Sequence, residues 1–290
     1  MPISVNTNLS VLTAQKSLNT STERMNTAME RLTTGYRINN SKDDAAGMAV
    51  SSKLNFKISS LKVAQNNGQM GGSLLDTQEG VLSVISSNIT RIRELTEQAA
   101  NGAYGSDSMR AIQLEVKARL EEVSRIALST EFNGKYLLDG SITQNICLQV
   151  GIESNGNSII ELNSSLFESC TTTALIATGI YSGQTIDQIC DTAYQDDSAA
   201  RTFLSTLDSS ISNITNRITQ IGGIQQRILS AIDATVVMSN NMTSANSTIQ
   251  DADIAVESSN YIKQQILQQI STSMLSTANQ SPAIALSLLG

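Results

Sequence analysis

Histidine and tryptophan are missing from this chain of 290 residues, proline occurs twice, and aromatic residues make up only 3% of it. Without histidine the chain lacks the side chain that most often serves as a general base near neutral pH and as a metal ligand. The routine catalytic triads and metal centres fail on that ground, so the chain is read as a non-enzyme with no catalytic residue, metal or cofactor. Both prolines, Pro2 and Pro282, lie near the chain ends, and nothing between them must break a helix for want of a backbone N–H. Few aromatics leave little to anchor a bulky globular core. The abundant Ala, Ser, Thr, Asn, Gln, Ile and Leu suit long helices packed side by side.

Positive charge is also scarce, with 19 Lys and Arg against 26 Asp and Glu for a net charge of −7. Phosphate binding needs a basic surface that releases counterions, so nucleic acid is not an expected partner. No apolar run is long enough to span a membrane. The opening stretch "MPISVNTNLSVLTAQ" has neither a basic leader nor an apolar signal core, and the protein is expected to be cytosolic or exported without a cleaved leader. Cys147, Cys170 and Cys190 are odd in number and widely spaced, unlike a disulfide framework or a paired zinc motif. They read as ordinary thiols.

Charge is scarcest at the two ends. Lys16 is the only charged residue before Glu23, and residues 264–290 carry none. Within that tail Ile266, Ile270 and Met274 recur at four-residue spacing, a stripe that needs something to cover it.

The apolar positions elsewhere keep a 3-4 alternation, the signature of a helix packed along another helix. From Val11 it runs through Ala14, Leu18, Met25, Ala28 and Leu32, then Gly35 reads as a C-cap and Ser41 with Asp44 as the start of the next helix. A second helix follows to Ala100, seamed by Leu75, Leu82, Ile85, Ile89 and Ile92, with Gly68, Gly71 and Gly72 as candidate bends. A third, after Asp107, is carried by Ile112, Val116, Leu120, Val123 and Ile126 and predicts an antiparallel neighbour. The alternation returns in Leu207, Ile211, Ile214, Ile218, Ile221, Ile228 and Ile232, which read as rod packing. Between them, "ICLQVGIESNGNSIIEL" predicts a β-hairpin turning at Asn155 and Gly156. Residues 163–198 are rich in Ser and Thr with weak periodicity and read as loop and sheet.

"TRIRELTEQAANG" places Arg91, Glu94, Leu95 and Gln98 at helix-neighbour spacing. By the physics of helix faces alone this is a solvated surface with i,i+3 ion pairing.

The blocks "NTNLSVLTAQ", "MERLTTGYRINNSKDDAAGMAVS", "TQEGVLSVISSNITRIRELTEQAANG", "STEFNGKYLLDG" and "ILQQISTSMLSTANQSPAIALSLLG" closely resemble bacterial flagellin, over roughly residues 1–162 and 203–290. The resemblance implies a mainly α fold of long antiparallel helices and a terminal coiled coil forming an elongated rod, with a small β-hairpin excursion. It implies terminal helices over 1–43 and 250–290 that form an inner-core coiled coil, a helical rod over 44–140 and 203–249, and a variable outward-facing segment over 141–202 with its hairpin at about 146–162. Val11, Leu18, Met25, Leu32, Ile262, Ile266, Ile270, Met274, Leu286, Leu288 and Leu289 would pack the inner core against the chain's own partner helix and neighbouring subunits.

The function so implied is that of a secreted structural subunit polymerising with itself into the extracellular flagellar filament. Export would run through the flagellum's type III channel, with export chaperone, cap and junction proteins as further partners. A related hook-filament junction protein is the alternative. The same resemblance makes Arg91, Glu94, Leu95, Gln98 and Glu115 a patch facing the host Toll-like receptor for flagellin.

Overall fold

The computed structural model describes residues 8–176 and 181–287, with side chains described up to residue 280. Long helices dominate. In chain order they are α1 (Leu9–Thr34), α2 (Ala45–Ala99), α3 (Ser106–Ser129), two hairpins β1 (Glu131–Phe132) with β2 (Lys135–Tyr136) and β3 (Ile146–Gln149) with β4 (Ile159–Leu162), short helices α4 (Thr172–Ile176) and α5 (Ile186–Ala193), then α6 (Asp197–Gln250) and α7 (Ile254–Ser287). The chain divides into two compact units, one comprising residues up to 58 and from 240 on, the other residues 59–239.

The second unit holds the core. Leu75, Leu82, Ile85, Ile89 and Ile92 of α2 meet Val116, Leu120 and Val123 of α3 and Leu207, Ile214, Ile221 and Ile228 of α6, all buried to about 1% exposure or less. These are the positions of the 3-4 alternation, which keeps one apolar seam facing inward along a helix of any length. The glycines of α2 do not interrupt it, and the helix runs unbroken. Gly68 and Gly71 serve close approach instead: a Cβ at Gly68 would lie 2.9 Å from Cγ1 of Ile232, and one at Gly71 would collide with Leu148 of β3.

Both hairpins are antiparallel. The tight turn is not at Asn155–Gly156. It is at Asn133–Gly134, where φ is +50° and +77° and two residues connect β1 to β2, the conformation that Asn-Gly favours. β3 and β4 pair at the expected place, Ile146 opposite Leu162, but the loop between them is long, and Asn155 sits in extended backbone ahead of a 3-10 turn.

Among the described residues of 163–198 no strand forms after Leu162, and the short helices α4 and α5 stand where loop and sheet were expected. Weak periodicity concealed them because α4 and α5 have five and eight residues, too short to repeat a seam. They hold together through Phe167, Tyr181, Tyr194 and Phe203, with Phe203 meeting Tyr181 and Tyr194 edge to face at 5.3 and 6.0 Å. Three buried polar bonds dock the segment. Thr172 donates to the Leu120 carbonyl at 2.6 Å, Ser210 to that of Leu175 at 2.8 Å, and the Tyr194 hydroxyl meets that of Thr96 at 2.5 Å. Burial pushes the Tyr194 phenol up and the Cys190 thiol up to about 12.

In the first unit α1 is capped by Asn8, whose side chain accepts from the N–H groups of Ser10 and Val11, and ends at Gly35 with φ +76°. Asp44 alone caps α2, accepting from the Gly47 N–H at 2.9 Å. The connector between them is stitched to the break between α6 and α7. Arg37 N–H donates to the Gln250 carbonyl at 2.6 Å, and Ala252 N–H to that of Gly35 at 2.9 Å.

Candidate functional site

The two helices at the chain ends pack antiparallel. Asn8 donates to the Ala278 carbonyl at 2.9 Å, Gln268 to the Thr22 hydroxyl at 3.1 Å, and Arg31 pairs with Glu257 at 2.9 Å. On α1, Val11, Leu18, Met25 and Leu32 are half-buried and Ala28 is buried.

On α7 the seam differs from expectation. The buried positions are Glu257, Gln264 and Ser271, whereas Ile262, Ile266, Ile270 and Met274 stand 54, 50, 49 and 63% exposed. These four were expected to pack against the chain's own partner helix and neighbouring subunits, and in the single chain about half or more of each side chain is exposed. The reason lies in the period. At 3.6 residues per turn a step of four overshoots a full turn by about 40°, so three such steps carry the stripe roughly 120° around the helix. A seam that stays on one face must alternate threes and fours, as 257, 261, 264, 268, 271 do. Leu286, Leu288 and Leu289 fall outside the residues whose side chains are described.

The stripe therefore changes surroundings along its length. Ile262 and Ile266 form a ridge turned away from α1. Ile270 and Met274, with Leu267, wall an open groove of about 670 Å³ whose other side is the small-residue face of α1, including Ala14, Ser17 and Ser21. Arg24 is the one charged residue lining it. Such a surface can bury apolar area at little cost in desolvated charge. Among the described residues no three His, Cys, Asp or Glu side chains cluster to hold a metal.

The seven rod positions of α6 behave differently. Leu207, Ile214, Ile221 and Ile228 lie in the core, with Ile211, Ile218 and Ile232 half-buried against it.

Arg91, Glu94, Gln98 and Glu115 are brought together on one exposed face of α2 and α3. Arg91 donates to Glu94 at 2.7 Å and its Nε lies 3.9 Å from Glu115, which also accepts from Arg119 at 3.1 Å. The bond to Glu94 raises the pKa of the Arg91 guanidinium above its ordinary value. Leu95 is the exception and corrects the expected patch. It is 3% exposed and sits in the core beside Ile92 and Ala99, on the seam that Arg91 only flanks.

The cysteines are free thiols, Cys147 exposed and Cys170 and Cys190 buried. Cys170 accepts from Arg217 at 2.9 Å, yet burial raises its pKa. Among the described residues no helix is long and apolar enough to cross a membrane.

Residues 5–143 match the bacterial flagellin N-terminal helical region and residues 204–289 the bacterial flagellin C-terminal helical region. The chain is 36% identical to a flagellin of Xenorhabdus nematophila, over 98% of both chains. It is 33% identical to the flagellar filament 30.7 kDa core protein of Treponema maltophilum, over 98% of this chain and 99% of that one. Among solved structures, a putative flagellar hook-associated protein from Vibrio parahaemolyticus shares the fold, with a TM-score of 0.58 at 16% identity over 72% of this chain and all of the other. The two regions matched lie at the two ends that α1 and α7 bring together, and the full-length similarity to flagellins exceeds 30%: the chain belongs to the bacterial flagellin family.

Proposed function

We propose that this flagellin builds the extracellular flagellar filament through the paired helices at its ends, and that it is a structural subunit without catalytic role. The observation that carries the proposal is the exposed stripe Ile262, Ile266, Ile270 and Met274 on a helix with no charged residue from 264 onward. Apolar surface left open beside a polar intrachain seam gains about 25 cal/mol per Å² when a neighbour covers it. Contacts between unlike faces of successive copies need not close, so they extend into a filament. Under this proposal the terminal segments 1–43 and 250–290 form the inner core, 44–140 with 203–249 the rod, and 141–202 the outward segment. That segment is short, which favours a thin filament without bulky outer domains. Export chaperone, cap and junction proteins are the further partners this role requires.

Electron microscopy after salt-induced assembly tests the proposal. Wild-type chain should form filaments, and Ile266→Asp, which places a charge on the stripe but none in the monomer's core, should not, at unchanged helicity by circular dichroism. Filaments from Ile266→Asp of normal length would overturn it.

A second role rests on the exposed cluster of Arg91, Glu94, Gln98 and Glu115, as a surface for the host Toll-like receptor for flagellin. Its planar guanidinium, held by two carboxylates, is the kind of anchor that costs about 2 kcal/mol or more when removed from an interface. Arg91→Ala with Glu115→Ala should weaken receptor signalling by monomer, and an unchanged dose response would remove the role.

A further inference from the structure

Four Asn-Gly pairs occur in the chain, Asn67-Gly68, Asn101-Gly102, Asn133-Gly134 and Asn155-Gly156. Each carries a latent reaction, in which the glycine nitrogen attacks the carbonyl carbon of the asparagine side chain, because glycine has no Cβ to hinder the approach. The fold treats the four differently. Asn67 lies inside α2, where the Gly68 N–H is committed to the helix, and its Nδ2 donates to the Gln149 carbonyl at 3.1 Å. Asn133 is held at φ +50° between the paired residues Phe132 and Lys135. Asn101 Oδ1 accepts from the Ala103 N–H at 3.3 Å, but no carboxylate meets its Nδ2 among the described residues.

Asn155 is gripped at both ends of its amide. It stands in extended backbone, φ −91° and ψ 163°, in the loop joining β3 to β4. Its Nδ2 donates to Glu153 Oε2 at 2.6 Å, which fixes the amide's orientation because a carboxylate only accepts. Its Oδ1 accepts from the Ser158 hydroxyl at 3.3 Å. That hydroxyl oxygen itself accepts from the Glu153 N–H at 3.3 Å, which leaves its own proton for Asn155. Ser158 is buried, and its carbonyl accepts from the N–H groups of Val150 and Gly151 at 2.9 and 3.1 Å. The donor is therefore mounted on the fixed part of the loop. Asn155 and Gly156 are exposed, a Cβ on Gly156 would meet nothing within 4 Å, and the Gly156 N–H donates to no described residue.

We propose that Asn155 is a self-modification site, at which the loop's own groups convert the side-chain amide to a carboxylate. The Gly156 nitrogen gives its proton to solvent base and bonds to Asn155 Cγ. Negative charge then develops on Oδ1, where the Ser158 hydroxyl faces it. The Cγ–Nδ2 bond breaks, and Nδ2 leaves as ammonia with a proton relayed by the Glu153 carboxylate it touches. Water opens the cyclic imide at either carbonyl, giving aspartate or isoaspartate. One water enters, one ammonia leaves, and the loop gains a negative charge. The inference stands apart from filament assembly.

Ageing the purified full-length chain at mildly alkaline pH tests it, read by peptide mass mapping and by methyl acceptance of isoaspartate. Asn155 should convert about tenfold faster than any of the other three. Equal or faster conversion at Asn101 or Asn133 would overturn the proposal. In urea, where the loop no longer holds its groups together, the four rates should converge. An order that persists there would show that local sequence sets it, and would overturn the roles of Ser158 and Glu153. E153Q and S158A should each slow Asn155 several-fold, while Asn101 in the same molecule keeps its rate. A purely structural clamp predicts the opposite sign, because releasing the amide would speed ring closure. Faster or unchanged conversion in E153Q, which alters an exposed side chain and spares the buried Ser158, would therefore overturn the proposal even if S158A loosened the loop.

Discussion

The bundle of α2, α3 and α6 and the pair of α1 and α7 share a heptad grammar but end in opposite states. In the bundle every seam position finds a partner in the same chain, and Ile214, Ile221, Val116 and Leu120 are sealed from water. In the terminal pair only α1 turns its apolar seam inward, while α7 offers glutamine and serine to α1 and leaves its isoleucines outside. One region completes its core when the chain folds, and the other has a core that needs further copies. A self-assembling subunit gains from this division, because the element left incomplete in the monomer is the one whose completion drives polymerisation.

The largest contrast should appear in amide exchange. In isolated monomer, amides near Ile214 to Ile228 should open only with global unfolding, whereas residues 262–278, held by a polar seam, should exchange through local opening of small free energy. After assembly the second set should become protected. Strong protection of residues 262–278 in monomer would break the comparison.

Truncations sharpen it. Ile221→Ala removes buried volume from the bundle and should cost about 3 kcal/mol in urea unfolding of the monomer. Ile270→Ala trims an exposed side chain and should stay within about 0.5 kcal/mol there. Equal losses at the two positions would mean that Ile270 is covered in the single chain.

How far the sequence foretold this follows the same line. The 3-4 alternation located α1, α2, α3 and the long part of α6, Gly35 was legible from turn chemistry, and the β3/β4 pair from its two β-prone runs although its turn was misplaced. Four-residue spacing in the tail announced a stripe that needs covering by the partner helix and neighbouring copies together, and only the 40° drift per step shows how the stripe moves off a single face. Leu95 misled in a related way, since neighbour spacing to Arg91 says that two side chains touch and not that both reach solvent. The segment at 163–202 was illegible because its helices are too short to repeat. It is held by Tyr181 and Tyr194 meeting Phe203, with Phe167 buried in the same core, information that no local window contains.

A smaller effect concerns the only ion pair between α1 and α7 among the described residues, Arg31 with Glu257. Glu257 is nearly buried, and Arg31 Nε already lacks a partner, so Glu257→Gln removes the one carboxylate that compensates a partly covered guanidinium. The expected cost is about 1 kcal/mol in the opening of the terminal pair, discounted because Arg31 still reaches water. Exchange at residues 254–264 should rise, while Glu23→Gln, an exposed change on α1, should do nothing. A null result for Glu257→Gln would show that apolar contact alone holds the pair.

The smallest effect is a pH response confined to the connector between α1 and α2. The Asp43 carboxylate accepts from the backbone N–H of Asn40 at 3.0 Å and of Asn39 at 3.3 Å. The Asn40 bond first, then that of Asn39 and the nearby Lys42, holds its pKa below the ordinary 3.8. A depressed folded value means that the carboxylate form favours the fold: the contribution is complete above 3.8 and fades as pH falls through the lower, folded value. The bundle, closed by apolar contacts, has no such dependence at its core. Amide shifts of Asn39 and Asn40 should therefore titrate with a midpoint below 3.8, Asp43→Asn should abolish that step, and amides near Ile221 should stay unmoved over the same range. A midpoint at or above 3.8 would mean that the carboxylate does not hold the connector, and the terminal region would then lose its acid-sensitive element.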